Sequence, residues 1–437
     1  MRFHSVRAAL CLFSSLLLAQ AISGEAEPPN FDIPTTGAFN PALRSFDDTL
    51  VTFMKQHAIP GGALAVVQDG RLIYARGYGF ADRERKTPVL PTSLFRLASV
   101  SKPITSAAVM TLVDSRKLDL DAKVVALLGW EPFLKAGTAE DPRIREITVR
   151  HLLQHSGGWD RGKSGDIMFK HFQIAADMGI PSPPDHASLI RWGLGQPLDF
   201  APGSKFAYSN FGYCVLGRVI EKVSGQRYED YVRKHVLEPM GIDDMRIGDG
   251  RQRERKEHEV CYYDPQNTLT RNVFSGDGPD LVPLPYGFAS PQTMDAHGGW
   301  IASAVDLARF AAALDRPGAQ PMLSAELAAL LYARPAPPLG LTPAGAPSDV
   351  YYGFGWNVRV LGKTGKINVW HNGAMPGTST LLVRLANGRT WAVLFNQRFN
   401  GKGADDIDPL LHHAAAKVTQ WPTDDLFEMY RSGAQKR

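Results

Sequence analysis

The sequence predicts an α/β (α+β) fold: one antiparallel sheet built from both termini, flanked by helices, with a mostly helical lobe inserted between its halves. Three observations predict it. Near the N-terminus, Ala63–Gln68 and Arg71–Arg76 are strand-like runs joined by Asp69-Gly70, a preferred two-residue hairpin turn. Towards the C-terminus strand-like runs return at Gly353–Val360, Ile367–Trp370, Thr378–Leu385 and Thr390–Phe395, with Asn387-Gly388 marking a turn between the last two. Between these groups, from Leu118 to about Pro291, the pattern is mostly helical with long loops.

The chain opens with Arg2 and Arg7, an apolar run over Ala8–Leu18 and then Ala19-Gln20-Ala21. A basic start, a short hydrophobic run and an A-x-A site read as a secretory signal over residues 1–21, cleaved near Ala21. The expected location is periplasmic or secreted. The run is too short for a comfortable membrane span, and Leu10 is a poor neighbour for a lipid-bearing Cys11, so no stable membrane anchor is expected. Formal charge is +4 and falls to +2 without Arg2 and Arg7, which argues against nucleic acid as a partner. Cys214 and Cys261 remain. An oxidising compartment permits a disulfide between them, while the apolar run Phe211–Ile220 around Cys214 reads as a buried thiol. Nothing in the sequence sets the oligomeric state.

Residues 22–40 are a flexible lead-in, with Pro, Gly and Thr frequent from residue 24 on. One domain follows over 41–425, with a sheet lobe at about 41–117 and 292–425 and a helical lobe at about 118–291. Leu43, Phe46, Leu50 and Phe53 fall at helical spacing. Phe211–Val223 and Tyr228–Leu237 read as helices, and Ser303-Ala-Val-Asp306 as a capping box opening a helix through Leu314. The stretches 179–203 and 276–291 are crowded with Pro and Gly and read as loops over a site. A last helix spans about Asp408–Val418.

The chemistry centres on Ser99-Val-Ser-Lys102, ahead of the apolar run Ile104–Val113. Pro103 suits the first turn of a helix. Ser99 is therefore expected at a helix N-terminus, where free N–H groups favour a developing anion. Lys102 follows one turn later on the same face. A serine hydroxyl is a weak nucleophile that needs a base within reach, and S-x-x-K supplies one. About one such match arises by chance at this length, so the motif needs company.

Tyr208-Ser209-Asn210 is the one Y-x-N of the chain and opens the Phe211 helix. Its tyrosine can exchange a proton with Ser99, and Asn210 can hold a substrate amide. A buried tyrosine beside an asparagine cap explains the tripeptide equally well. His371-Asn372-Gly373-Ala374 follows a strand pattern, and the N–H of Ala374 can face a cleft. Paired with the N–H of Ser99 it makes an oxyanion hole; an ordinary strand-end turn is the plain alternative.

Other matches fail on context. Gly157–Ser164 spells G-x-x-x-x-G-K-S, yet the residues before it look helical and a P-loop must follow a strand. His151 and His155 are spaced i, i+4 without the intervening glutamate or an evident third ligand of a zinc site. Lys363-Thr364-Gly365 is bracketed by strand-like runs and reads as a hairpin tip. No G-x-S-x-G elbow occurs.

Ser99-x-x-Lys102, Tyr208-x-Asn210 and His371-x-Gly373, in that order, resemble the active-site set of the serine β-lactamase and penicillin-binding-protein family. The nearest branches are class C β-lactamases, DD-carboxypeptidases and β-lactamase-fold esterases. Tyr replaces Ser in the second motif, as in the first two branches. His replaces Lys in the third, as in the carboxypeptidases and many esterases. Arg150–Gly157 and Gly298–Asp306 also resemble family segments, and the likeness covers about residues 40–400.

The resemblance implies a β-lactamase/transpeptidase-like fold and a serine hydrolase of carboxypeptidase or carboxylesterase type. Ser99, Lys102 and Tyr208 would be catalytic, with either Lys102 or Tyr208 the acylation base. Asn210, His371, Gly373 and Ala374 would bind substrate. No metal or organic cofactor is implied. The partner would be a small-molecule or peptide substrate carrying an amide or ester bond. Two alternatives fit the same residues: a class C-like β-lactamase, and a penicilloyl-binding sensor or scaffold with little turnover.

Overall fold

A computed structural model describes residues 33–314, 323–399 and 406–431. The leader expected over residues 1–21, and most of the lead-in, lie outside the described residues. The region from Pro34 onward is one compact unit.

The first four strands are β1 (Thr35–Thr36), β2 (Gly61–Gln68), β3 (Arg71–Asp82) and β4 (Thr87–Pro88). Short strands β5 (Phe95–Arg96), β6 (Arg246–Ile247), β7 (Leu269–Arg271), β8 (Leu281–Pro283) and β9 (Trp300–Ala302) follow. The chain then returns to the main sheet with β10 (Val350–Tyr352), β11 (Asn357–Val360), β12 (Ile367–Met375), β13 (Thr378–Arg384) and β14 (Arg389–Phe395). The nine-stranded sheet runs β1-β3-β2-β14-β13-β12-β11-β10, with β4 on β3. Strand β14 pairs with β2, so the two ends of the chain meet in the middle of the sheet. All pairings in it are antiparallel, as the hairpins require. Asp69 and Gly70 both have positive φ, 49° and 78°, the backbone of a type I′ turn.

Helices cover both faces. Phe46 and Phe53 of the helix Arg44–Gln56 pack on Tyr74 of β3 and Phe395 of β14. Ser45 ties this helix to the C-terminal helix Asp408–Ala416. On the opposite face Leu307 and Phe310 of the helix Ala304–Ala313 join Leu394 and Ala392 in the main core. That core continues without a break into the helical lobe, through Trp192, Phe211 and Leu216. The two lobes thus share one interior.

Several boundaries differ from the sequence expectation. The run 353–360 is not one strand, because Gly355 turns at φ 82° between β10 and β11. Strand β12 continues past Trp370 to Met375, so the His371 motif lies on the strand rather than after it. The segment 179–203 holds the helix His186–Leu194, capped by Asp185 and burying Leu189, Ile190 and Trp192; the prolines before it hid the pattern. The segment 276–291 holds β8 and the helical turn Leu284–Gly287. The helix at Tyr228 ends as an α-helix at Val232 and widens into a π-turn over Arg233–Leu237. Cys214 and Cys261 are both buried free thiols. Among the described residues no helix is long and apolar enough to cross a membrane.

Candidate active site

The segment before Ser99 is fixed from three sides. Strand β5 pairs with β9, and the Leu97 N–H donates to the Trp300 carbonyl at 2.8 Å. Thr378 and Thr380 of β13 donate to the carbonyls of Arg96 and Leu97, at 3.0 and 2.8 Å. Arg96 is buried, with its guanidinium 4.1 Å from the Tyr262 ring. This frame holds Ala98 at φ 48°, in the left-handed region where a Cβ is strained. Ser99 comes next, in the 3₁₀ turn Ala98–Val100 that leads into the helix Ser101–Asp114. It is half-buried, while Ala98 and Val100 on either side are buried.

Lys102 is 0% exposed. Its Nζ lies 3.1 Å from Ser99 Oγ, 2.8 Å from Asn210 Oδ1 and 3.0 Å from the His297 carbonyl. Burial pushes the ammonium well below its ordinary pKa; the Asp166 carboxylate opposes the shift and Arg161 adds to it. In the neutral amine, two N–H groups serve Asn210 and His297, and the lone pair is left for the Ser99 hydroxyl. Both acceptors are held in turn. Asn210 Nδ2 donates to Asp166 at 2.7 Å, and the buried Arg218–Asp295 ion pair, 2.6 Å, fixes the turn that carries His297.

Asn210 begins the helix Asn210–Ser224, capped by Ser209. Tyr208 precedes that cap. His155 clamps it: its carbonyl accepts from Ala207 N–H, its Nδ1 accepts from Ser209 N–H at 3.1 Å, and its ring lies 4.3 Å from the Tyr208 ring. The Tyr208 hydroxyl faces Ser99. Burial raises its pKa above the usual value for a phenol, although nearby Ser99 and the charge of Arg161 pull it down. Lys102 Nζ lies 4.7 Å from the Tyr208 ring centroid, and the Arg161 guanidinium 4.6 Å.

The third motif borders the same turn. Strand β11 stops at Asn357, opposite Trp370, so the β12 edge from His371 onward has no strand beside it there. That edge lies beside Ala98. A Cβ at Gly373 would collide with the Leu97 carbonyl and with Thr380 Oγ1, so only glycine lets the strand approach. Ala374 is exposed next to it, and Met375 packs on Ala98. His371, expected to meet substrate, is 1% exposed. Its Nδ1 lies 2.7 Å from the Asn372 carbonyl, which can only accept, so Nδ1 carries the hydrogen. Nε2 then accepts from the Tyr352 hydroxyl at 2.9 Å. Burial, with Lys102 nearby, lowers its pKa to about 3. The ring is neutral, and both nitrogens are engaged inside the protein.

Asn210, also expected to hold substrate, has its amide oxygen on Lys102 and its nitrogen on Asp166. Sequence reading missed Asp166, Arg161, His155 and Tyr352. Asp166 lies 44 positions from Asn210, and no local spacing signals the pair. Lys363 sits in the exposed turn Gly362–Thr364 between β11 and β12. About 20 Å of strand separates that end of β12 from Gly373. His151 caps its own helix by accepting the Thr148 N–H. Gly157–Ser164 follows a helix and not a strand, yet it carries Arg161 to the site.

A nucleophile with a buried amine at hydrogen-bond distance, a phenol on its other side and an open strand edge can perform acyl transfer. Comparison with known proteins agrees. The Beta-lactamase family profile matches residues 46–416. Penicillin-binding protein 4* of Bacillus subtilis (strain 168) is 27% identical over 79% of this chain and 70% of its own. Esterase EstB of Burkholderia gladioli is 33% identical over 54% of this chain and 57% of its own. The octameric penicillin-binding protein homologue from Pyrococcus abyssi superimposes with a TM-score of 0.62 at 25% identity, over 87% of this chain and 78% of its own. The chain belongs to the beta-lactamase family of serine hydrolases.

Proposed function

We propose that this protein is an exported hydrolase that cleaves an amide or ester bond through an acyl group on Ser99, with a DD-peptidase- or esterase-like substrate. The observation that carries the reading is the buried Lys102 amine 3.1 Å from Ser99 Oγ. Burial moves the two basic groups in opposite directions. It lowers Lys102 well below its ordinary value and raises Tyr208 above its own, which supports Lys102 as the acylation base with Tyr208 starting as a neutral phenol.

Ser99 Oγ attacks the carbonyl carbon while its proton passes to Lys102 Nζ. The carbonyl π electrons move to oxygen, which the N–H groups of Ser99 and Ala374 receive. As the oxyanion collapses, the bond to the leaving group breaks. The proton reaches the leaving group by way of the Tyr208 hydroxyl. Water then attacks the acyl carbon and gives up a proton, the bond between that carbon and Ser99 Oγ breaks, and Ser99 Oγ takes the proton up.

A neutral His371 supplies no cation for a substrate carboxylate, so the third motif itself gives no preference for an anionic β-lactam or peptide over a neutral ester or amide. The names of two relatives, a penicillin-binding protein and an esterase, support the same range. A panel of p-nitrophenyl esters, D-Ala-D-Ala peptides and nitrocefin tests the reading. Turnover of an ester or peptide that disappears in Ser99→Ala is the expected result. A stable penicilloyl adduct with no turnover on any substrate would mean a sensor. Export is tested by the N-terminal mass of protein from a native-like host: a start within a few residues of Ile22 is expected, and an intact Met1 contradicts it.

A further inference from the structure

The loop Asp160–Asp166 carries two acids and two bases, and three of these four have partners. Asp160 accepts from Lys205 at 2.7 Å and from the Gly162 N–H. Asp166 uses one oxygen for Asn210 and the other for the Met168 N–H. Lys163 lies 3.7 Å from Asp199. Arg161 has no ion pair or hydrogen bond among the described residues. Its guanidinium lies 4.6 Å from the Tyr208 ring centroid, and the residue is exposed. The loop is not slack: Lys163 and Ser164 N–H both donate to the Asp160 carbonyl, which closes a turn around Arg161.

An unpaired guanidinium beside the acid–base tyrosine is a ready fork for a carboxylate. The Tyr208 hydroxyl faces Ser99, so the width of one ring lies between the guanidinium and the neighbourhood of the nucleophile, roughly 10 Å away. The third motif brings no cation, since His371 is neutral and buried. We propose that Arg161 anchors an anionic group of the substrate, and that this enzyme prefers acyl or leaving groups bearing a carboxylate. The proposal rests on the hydrolase reading above and narrows its substrate class.

Two matched pairs of esters test it: p-nitrophenyl hexanoate against the mono-p-nitrophenyl ester of adipate, and phenyl acetate against 3-acetoxybenzoate. The readout is the kcat/KM ratio, anionic over neutral, corrected for uncatalysed hydrolysis. In the wild type at least one ratio should exceed that of Arg161→Ala by tenfold or more. Arg161→Lys should keep part of it, and added salt should erode it, since the site is exposed. A ratio unchanged by Arg161→Ala in both pairs overturns the assignment, including the case where all four rates fall together because the guanidinium acts on Tyr208. Hydrolysis of the neutral esters reports on the hydrolase reading by itself. Neutral turnover without anionic preference removes only Arg161 from the account; inertness on every ester with an unlabelled Ser99 removes both.

Discussion

Asp166 and Lys102 are joined through one side chain: Asn210 accepts from Lys102 Nζ at 2.8 Å and donates to Asp166 at 2.7 Å. The link sets both the aim of the amine and its charge. Asp166 favours the ammonium, against the burial that favours the amine. Replacing Asp166 by Asn keeps an acceptor for the Asn210 amide and removes the charge. The Lys102 pKa then falls further, so the acid limb of kcat/KM should move to lower pH in Asp166→Asn. A pH–rate profile checks this; a shift to higher pH would reverse the sign of the argument.

Lys102→Ala and Tyr208→Phe should each lower kcat/KM by about 10²–10⁴, the range for a positioned acid–base group. Both serve one proton path through Ser99, so the double variant should lose less than the product of the single losses. Steady-state kinetics on one ester across the cycle measures the coupling.

The β12 edge makes a paired prediction. Lys363→Ala, at the far hairpin tip, should leave kcat/KM within about threefold, the effect of a surface change. Gly373→Ala forces a Cβ into the Leu97 carbonyl and should disable the enzyme or lower its Tm. Ala374→Pro deletes one oxyanion donor, worth about 10²–10³ in kcat. Kinetics and thermal melts of the three variants separate these outcomes.

Buried histidines set the acid stability. Burial lowers His171 to about 4 and His371 to about 3, and lowers His155 and His297 as well. The unfolded chain binds their protons below about pH 6.5 while the folded chain refuses them. Stability should therefore drop as pH falls from about 6.5 towards 4, by up to roughly 1.4 kcal/mol per unit for each such group. In His371→Gln the dependence of Tm on pH should be shallower than in wild type. The loss of Tyr352's partner lowers the whole curve without restoring the slope.

Much of this was readable in the residues. The Asp69-Gly70 turn, the 43–53 spacing and the apolar run behind Ser99 are local signals, and the elements formed where they pointed. The pairing of β14 with β2 was readable only as strands at both ends of the chain. What was lost was lost to distance. Asp166 caps the turn Ile167–Phe169, and nothing near it in the sequence announces Asn210. Arg161 lies inside the G-x-x-x-x-G-K-S match, at one of its unspecified positions. His371 carried the right letters at the right place, but its burial beside Tyr352 depends on a strand edge 19 positions away.

The central claim is that Lys102 deprotonates Ser99, and the rate of covalent labelling tests it most directly. Wild type and Lys102→Ala are mixed with a fluorophosphonate, sampled over time and mapped by peptide mass. All label is expected on Ser99, with the variant about 10²–10⁴ slower. Label on Ser101 or another serine, or equal rates in the two proteins, would contradict the account.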